Sequence, residues 1–224
     1  MTKTKFDNLK KLPSEKILEG INNCFKNSNE LYESAIILHT NDKCGVALSI
    51  FILSLEEKIK AILLFSMLIN DDLTNESLKD FFESGDLHRN RHKFALFFNE
   101  FISVINPDFD FEMDVQELEN ILSDNNIFSN VFLKVDNENK SKINWFNNAN
   151  DKKNIGLYVS YNNSWQSPIK INSTDFIKAL ESTNKLRNFI DSILENLLEV
   201  GDEELNQIIV DVKQSLVIIK QSII

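Results

Sequence analysis

An all-α bundle is the fold class this sequence predicts. Apolar residues recur at helical spacing through most of the chain. Breakers are scarce, with five glycines and three prolines among 224 residues, which fits long helices joined by short turns. One greasy segment, Val46 to Ile69, is long enough to run through the centre of a domain. At 42% hydrophobic residues the chain can bury a full core as a single helical domain over residues 1–224, with an irregular appendage at about 125–170.

The elements follow in order. Pro13-Ser14-Glu15 opens a helix whose Ile17, Leu18, Ile21 and Phe25 share a stripe, and Asn27-Ser28-Asn29 ends it or caps the next. A second helix uses Leu31, Ala35, Ile36 and Leu38. Asn41-Asp42 then caps a long central helix to about Asn70. Apolar on nearly every side, it belongs inside the bundle. Asp71 to Asn75 is a turn, and Ser77 to Phe82 a short helix ending near Gly85. From Asp86 to about Ile105 another helix carries histidines and arginines first and Phe94, Leu96, Phe97, Phe98 and Phe101 afterwards, until Pro107 stops it.

Beyond Pro107, Val115 to Leu122 reads as helical, Ile127 to Leu133 fits helix or strand, and Asp136 to Lys140 is a polar run. Gly156 to Tyr161 has extended character, with a turn at Asn162-Asn163. Residues 127–170 are therefore expected to form a short irregular or extended insertion. Ser173-Thr174-Asp175 caps a helix to about Val200, Gly201-Asp202 breaks it, and Glu204 to Ile223 forms the last one.

Composition excludes several roles. A formal charge of -10 argues against a coat for DNA or RNA, because non-specific phosphate binding is driven by Lys and Arg. Cys24 and Cys44, without a C-x-x-C spacing, point to reduced thiols in a cytoplasm. The longest greasy stretch carries Glu56, Glu57, Lys58 and Lys60 at its centre, which a bilayer-crossing helix tolerates poorly. Met1 to Phe6 lacks the apolar core of a signal peptide. No membrane partner and a cytoplasmic location are the expectation.

Charge in the middle of a greasy helix is the feature that needs a reason. Ser54-Leu55-Glu56-Glu57-Lys58-Ile59-Lys60 interrupts the apolar run, and an unpartnered buried charge costs several kcal/mol, so such residues are paired, line a cleft, or both. The counterpart is His88-Arg89-Asn90-Arg91-His92-Lys93, the densest cationic stretch in the chain. The two are expected to face each other. His88 and His92 share a helix face with Arg91 nearly beside them, while Arg89 and Lys93 share a neighbouring face. Two imidazoles and a guanidinium suffice for metal-free RNA cleavage through the 2′-hydroxyl, with Glu57 or Glu56 orienting a histidine. Candidate catalytic residues are thus His88, Arg91, His92 and Glu57, and candidate binding residues Glu56, Lys60, Arg89 and Lys93. No cofactor is implied, and neither a His-Glu-x-x-His motif nor a carboxylate pair at ligand spacing recommends a metal.

Plainer readings compete. Glu56 and Lys60 form an i,i+4 pair worth about 0.3–0.5 kcal/mol if exposed. His88 to Lys93 reads equally well as a solvated first turn, although cations there oppose the helix dipole. His39 reads as packed or surface, and Trp145 and Trp165 as edge-of-core residues rather than partner contacts. If the charged pair is buried, Glu57→Gln is expected to destabilise the fold by about 3 kcal/mol.

Four ordered blocks resemble the AbiV type of abortive infection proteins. They are Asn29-Glu30-Leu31 with Ala35 to Leu38; Ala47 to Ile50 with Ser54 to Ala61; His88-Arg89-Asn90-Arg91; and Lys153-Asn154-Ile155-Gly156-Leu157-Tyr158-Val159-Ser160 with Pro168 to Ile171. The resemblance implies a HEPN-like all-α fold, a homodimer, and a part in bacterial defence against phage. Many HEPN proteins are metal-independent ribonucleases with an arginine and a histidine four to six residues apart. Here Arg89 precedes His92 with only two residues between, so that spacing is absent. Two readings follow: an antiphage effector acting on RNA or translation through a Glu/Lys and His/Arg cleft, and a non-catalytic protein that acts by binding a phage or host protein. The apolar tail, Ser215 to Ile219 with Ile223-Ile224, is a candidate dimer contact.

Overall fold

A computed structural model describes residues 5–69, 79, 81–83, 85–105, 140–199, 207, 209 and 210. Among the described residues the fold is all-α apart from one small hairpin. In chain order the elements are α1 (Lys5–Leu9), α2 (Ser14–Thr40), α3 (Cys44–Ile69), α4 (Leu87–Ile105), α5 (Lys140–Leu157), β1 (Ser160–Asn162), β2 (Ser164–Gln166), a 3-10 turn (Pro168–Lys170) and α6 (Ser173–Glu199). The expected turn at 71–75, half of the helix at 77–82, the segments at 115–122 and 127–133, most of the polar run at 136–140, and nearly all of the last helix with its apolar tail lie outside the described residues.

Helix α3 is the axis of the bundle. Ala47, Leu48, Phe51, Ile52, Leu55, Ile59, Ala61 and Leu63 along it are all buried, as its unbroken apolar character predicts. Helices α2, α4, α5 and α6 all pack against it. Among the described residues no helix is long and apolar enough to cross a membrane. Helix α1, which carries no sequence signal, is held by Phe6, buried and stacked on Phe82 at 5.8 Å.

Two boundaries differ from the sequence reading. Asn27-Ser28-Asn29 neither ends nor caps a helix, because α2 is continuous from Ser14 to Thr40. Good capping residues read as a break, but Ser28 is buried against α3 and satisfied there: its Oγ donates to the Ser54 carbonyl at 2.9 Å, and Ser54 Oγ donates to the Ser28 carbonyl at 2.7 Å. The real break is Asn41-Asp42, where Asp42 takes φ 58°, a left-handed conformation that Asp tolerates better than most residues.

The second difference is α5. Within the stretch expected to be irregular or extended, residues 140–157 form an 18-residue helix instead, Lys140–Leu157. Many asparagines hide its period, since Asn is a weak helix former. Trp145, Phe146, Ala149, Lys153 and Gly156 nonetheless face inward, and tertiary packing overrides propensity. Past Leu157 the chain becomes extended, as read from the sequence at Gly156 to Tyr161. There β1 and β2 pair antiparallel with Tyr161 opposite Trp165, turning at Asn163 with φ 55°.

A close helix crossing sets the register of α5 on α3. A Cβ on Gly156 would lie 2.1 Å from Ser49 Oγ and 2.3 Å from the Gly45 carbonyl oxygen, so only glycine fits. Ser49 Oγ donates to the Lys153 carbonyl at 2.7 Å. At the other end, α6 starts with a reciprocal cap between Asn172 and Asp175, each backbone N–H donating to the other's side-chain oxygen at 3.2 Å.

Candidate functional site

The Gly45–Gly156 crossing carries Lys153 down α5 to the middle of α3, where it meets Glu56. Glu56 is 2% exposed and accepts three hydrogen bonds. Lys153 Nζ donates to Oε1 at 2.7 Å, His92 Nε2 donates to the same oxygen at 3.2 Å, and His88 Nδ1 donates to Oε2. Three helices thus converge on one buried carboxylate. Burial alone raises a carboxyl pKa, but the bond and charge of His92, followed by those of Lys153, outweigh it and hold Glu56 down to about 2.

An ionised carboxylate only accepts, so it decides which ring nitrogen of each histidine bears hydrogen: Nδ1 of His88 and Nε2 of His92. Their surroundings differ. The His92 side chain is 3% exposed and that of His88 is 45% exposed. His88 therefore holds its Nδ1–H inward on a side chain that is only half-buried.

The other predicted residues are distributed as follows. Arg91 is buried, and its Nε donates to the Phe81 carbonyl at 3.1 Å. Burial lowers its pKa, with Glu56 and then Glu57 opposing. Glu57 is not the buried carboxylate: it pairs with Lys60 at 2.7 Å, and both side chains are partly exposed. The i,i+4 partnership of Glu56 with Lys60 is replaced by this i,i+3 pair, because Glu56 turns toward α4 and α5. Arg89 and Lys93 are exposed on α4. The structure thus brings together Glu56, His88 and His92 and adds Lys153, while Arg89 and Lys93 stand on the outer face.

Lys153 is the residue that sequence reasoning left out of the site. The signal was present, since Lys153 opens the block containing Gly156, but pairing it with Glu56 requires knowing that α5 is a helix. A second buried charge was also passed over. Lys58 is fully buried and ion-paired with Asp191 of α6, lies over the Phe25 ring at 5.5 Å, and feels the charge of nearby Arg187, also on α6. The Arg187 guanidinium lies 4.0 Å over the Tyr32 ring and donates to Ser54 Oγ at 3.1 Å. Burial, with Arg187 second, pushes Lys58 down to about 8, against the pull of Asp191.

His39 is a packing residue. Its ring stacks on Phe176 at 4.4 Å, and Nε2 lies 2.8 Å from Ser173 Oγ. Trp145 is buried, whereas Trp165 is exposed rather than at the core edge. Both cysteines are free, and burial pushes the Cys24 thiol up. Among the described residues no three His, Cys, Asp or Glu side chains are arranged to hold a metal ion.

No curated protein and no solved structure matches the chain. The sequence model of the HEPN family AbiV matches residues 16–188, a span that contains Glu56, His88, His92 and Lys153. The chain belongs to the AbiV family of HEPN proteins.

Proposed function

We propose that this protein is an abortive-infection effector in antiphage defence that acts on RNA through His88. The observation that carries the reading is the bond between buried Glu56 and a histidine whose side chain is 45% exposed. A carboxylate that anchors Nδ1–H presents Nε2 as a base, the same division of labour as in a carboxylate–histidine pair of a hydrolase. Arg89 and Lys93, exposed on the same helix, supply cations for phosphate. In this reading His88 Nε2 takes the 2′-hydroxyl proton of RNA. The 2′-oxygen bonds to the adjacent phosphorus, and the bond to the 5′-oxygen breaks, that oxygen being protonated by water. Glu56, His92 and Lys153 are positioning residues, since they lie beneath His88 and out of reach of substrate.

The test is incubation of the purified protein with total RNA and a chelator. Cleavage that leaves 2′,3′-cyclic phosphate ends and is lost in His88→Ala, with the melting temperature unchanged, supports the reading. Arg89→Gln with Lys93→Gln should raise KM more than it lowers kcat.

The burial of Glu56, His92, Arg91 and Lys153 favours a second reading, a non-catalytic defence protein in which the cluster is a structural lock and activity follows from binding a phage or host protein. Phage restriction that survives His88→Ala and is lost only with folding selects that reading.

A further inference from the structure

Helix α5 and the hairpin after it differ in charge from the rest of the chain. Residues 140–174 hold five lysines and a single carboxylate, Asp151. That is a net +4 inside a chain of net -10, which leaves -14 for all the other residues. Among the described residues the exposed aromatic rings, Tyr158, Tyr161 and Trp165, all lie in this segment, each more than 60% exposed. Tyr161 and Trp165 stand opposite each other across the hairpin with ring centroids 5.4 Å apart. Lys170 brings its ammonium to the Trp165 carbonyl, a bond that leaves the charge intact beside the rings.

A groove continues from the root of the hairpin. It runs between α5 and α6 with a volume of about 470 Å³, and its lining includes Asn144, Asn148 and Lys152 from α5 and Lys178, Glu181 and Ser182 from α6. Lys152 and Lys178 are the lining residues nearest the hairpin along each helix, and Lys152 lies 3.5 Å from Asp175 in the first turn of α6. The lysine end of the groove therefore opens toward Lys170 and the two rings. An acidic molecule is no general coat for nucleic acid, but its one lysine-rich segment is where a phosphate chain meets least repulsion.

Positive charge beside exposed rings fits a ligand that offers phosphates and flat bases together. Lysines track the backbone, and stacking on Tyr or Trp tolerates any base. A duplex keeps its bases stacked on one another and offers the rings nothing. A bilayer fits worse, because sinking the hairpin into hydrocarbon strands the free backbone edges of two three-residue strands together with Asn162, Asn163, Ser164 and Gln166. Those amides and hydroxyls suit base edges and ribose instead. We infer that the hairpin and the α5–α6 groove bind a single-stranded stretch of RNA, with Tyr161 and Trp165 stacking on bases and Lys152, Lys170 and Lys178 meeting phosphates. The inference rests on the RNA reading for its ligand, and it assigns the grip on that ligand to residues other than those around His88.

The probe is a fluorescein-labelled 2′-O-methyl uridine oligonucleotide of about 12 nucleotides, which has no free 2′-hydroxyl and so cannot be cut by the reaction proposed above. Anisotropy with the full chain across about 1–100 µM, the range of non-specific nucleic-acid binding, should show saturable binding. Its log Kd should rise with log salt at a slope of about 2, as three phosphate contacts on a single strand require. Trp165→Ser should raise Kd about 10-fold or more, the loss of one base stack, and Lys170→Gln with Lys178→Gln should flatten the salt slope. A wild type that does not bind overturns the inference, as does a Trp165→Ser variant that binds like wild type or a duplex of the same length that binds as tightly. Hairpin-dependent binding to phosphatidylglycerol vesicles in place of the oligonucleotide overturns it too. Should the variant fail to fold, iodide quenching in the wild type decides, because Trp145 is buried and Trp165 exposed. Quenching that falls as oligonucleotide is added supports the contact, and constant quenching refutes it. RNA cleavage lost in His88→Ala, beside oligonucleotide binding that ignores the hairpin, sinks this inference alone; hairpin-dependent binding without any cleavage sinks only the chemistry assigned to His88.

Discussion

Glu56 and Lys58 are two residues apart on α3 and so point about 200° away from each other. Both are buried, yet the protein treats them in opposite ways. The carboxylate is met by three donors from two other helices and is held far below the ordinary carboxyl range. The ammonium is met by one partly exposed carboxylate, with a second buried cation, Arg187, nearby, and is pushed down to about 8. Burial opposes charge in each case. What differs is how many partners repay desolvation, and this is why the Glu56 side can hold a histidine in a fixed pose while the Lys58 side is a tolerated packing compromise.

The largest effect is expected at Glu56. Glu56→Gln removes the charge facing buried Lys153 and His92 and should destabilise the fold by about 3–5 kcal/mol in urea titration. The acid limb reports the same group. Its folded pKa is lowered to about 2 from an ordinary 4.5, so its contribution is fully present above about pH 4.5 and is lost as pH falls toward 2. Subtracting the variant's stability profile from the wild type's should isolate that loss; equal slopes would show that Glu56 is not strongly paired.

Gly156→Ala attacks the same side from a distance. The added methyl has no room against Ser49 and Gly45, so α5 must shift and Lys153 with it, at a cost of about 1–3 kcal/mol. A second readout is the acid limb, which should flatten as the Lys153–Glu56 bond loosens. Unchanged stability would mean that the crossing relaxes freely.

Lys58→Met should be much milder, within about 1 kcal/mol of wild type at pH 7, because it removes a desolvated cation and leaves Asp191 partly in water and near Arg187. The sign of its pH dependence is the reverse of a normal ion pair. With a folded pKa of about 8 against an ordinary 10.5, the unfolded state holds the proton more tightly between those values. Wild-type stability should therefore rise through that window relative to Lys58→Met. Destabilisation of several kcal/mol in the variant would show instead that the pair is strongly favourable.

Glu57→Gln should be the smallest change, below about 1 kcal/mol, since its pair with Lys60 is local and partly exposed. The sequence reading assigned this position the buried pair and about 3 kcal/mol. Neighbouring glutamates on a helix are 100° apart, and periodicity in an apolar-all-round segment cannot say which of them looks inward.

Much of the architecture was legible beforehand. The central helix, its start after Asn41-Asp42, the helix from the histidine cluster onward and the one after Ser173 all follow from apolar period, breakers and caps. So does the meeting of the acidic run with His88 and His92, because buried charge demands a partner and the chain offers one dense cationic stretch. Less legible was α5, whose asparagine-rich surface masks a five-residue inner stripe, and with it Lys153. The continuity of α2 was hidden as well, since Ser28 looks like a cap until Ser54 is seen to satisfy it.

Local chemistry in the chain thus decides which residues must find partners: short-range propensity sets the helices, and desolvation forbids a lone charge among Leu and Ile. Which partner each one finds is settled by packing. The glycine contact between α3 and α5 sets a register to within a fraction of a helical turn, and that register brings Lys153 to Glu56. Residues so far apart in sequence come together through close-packed helix surfaces, and no window of the sequence contains that geometry.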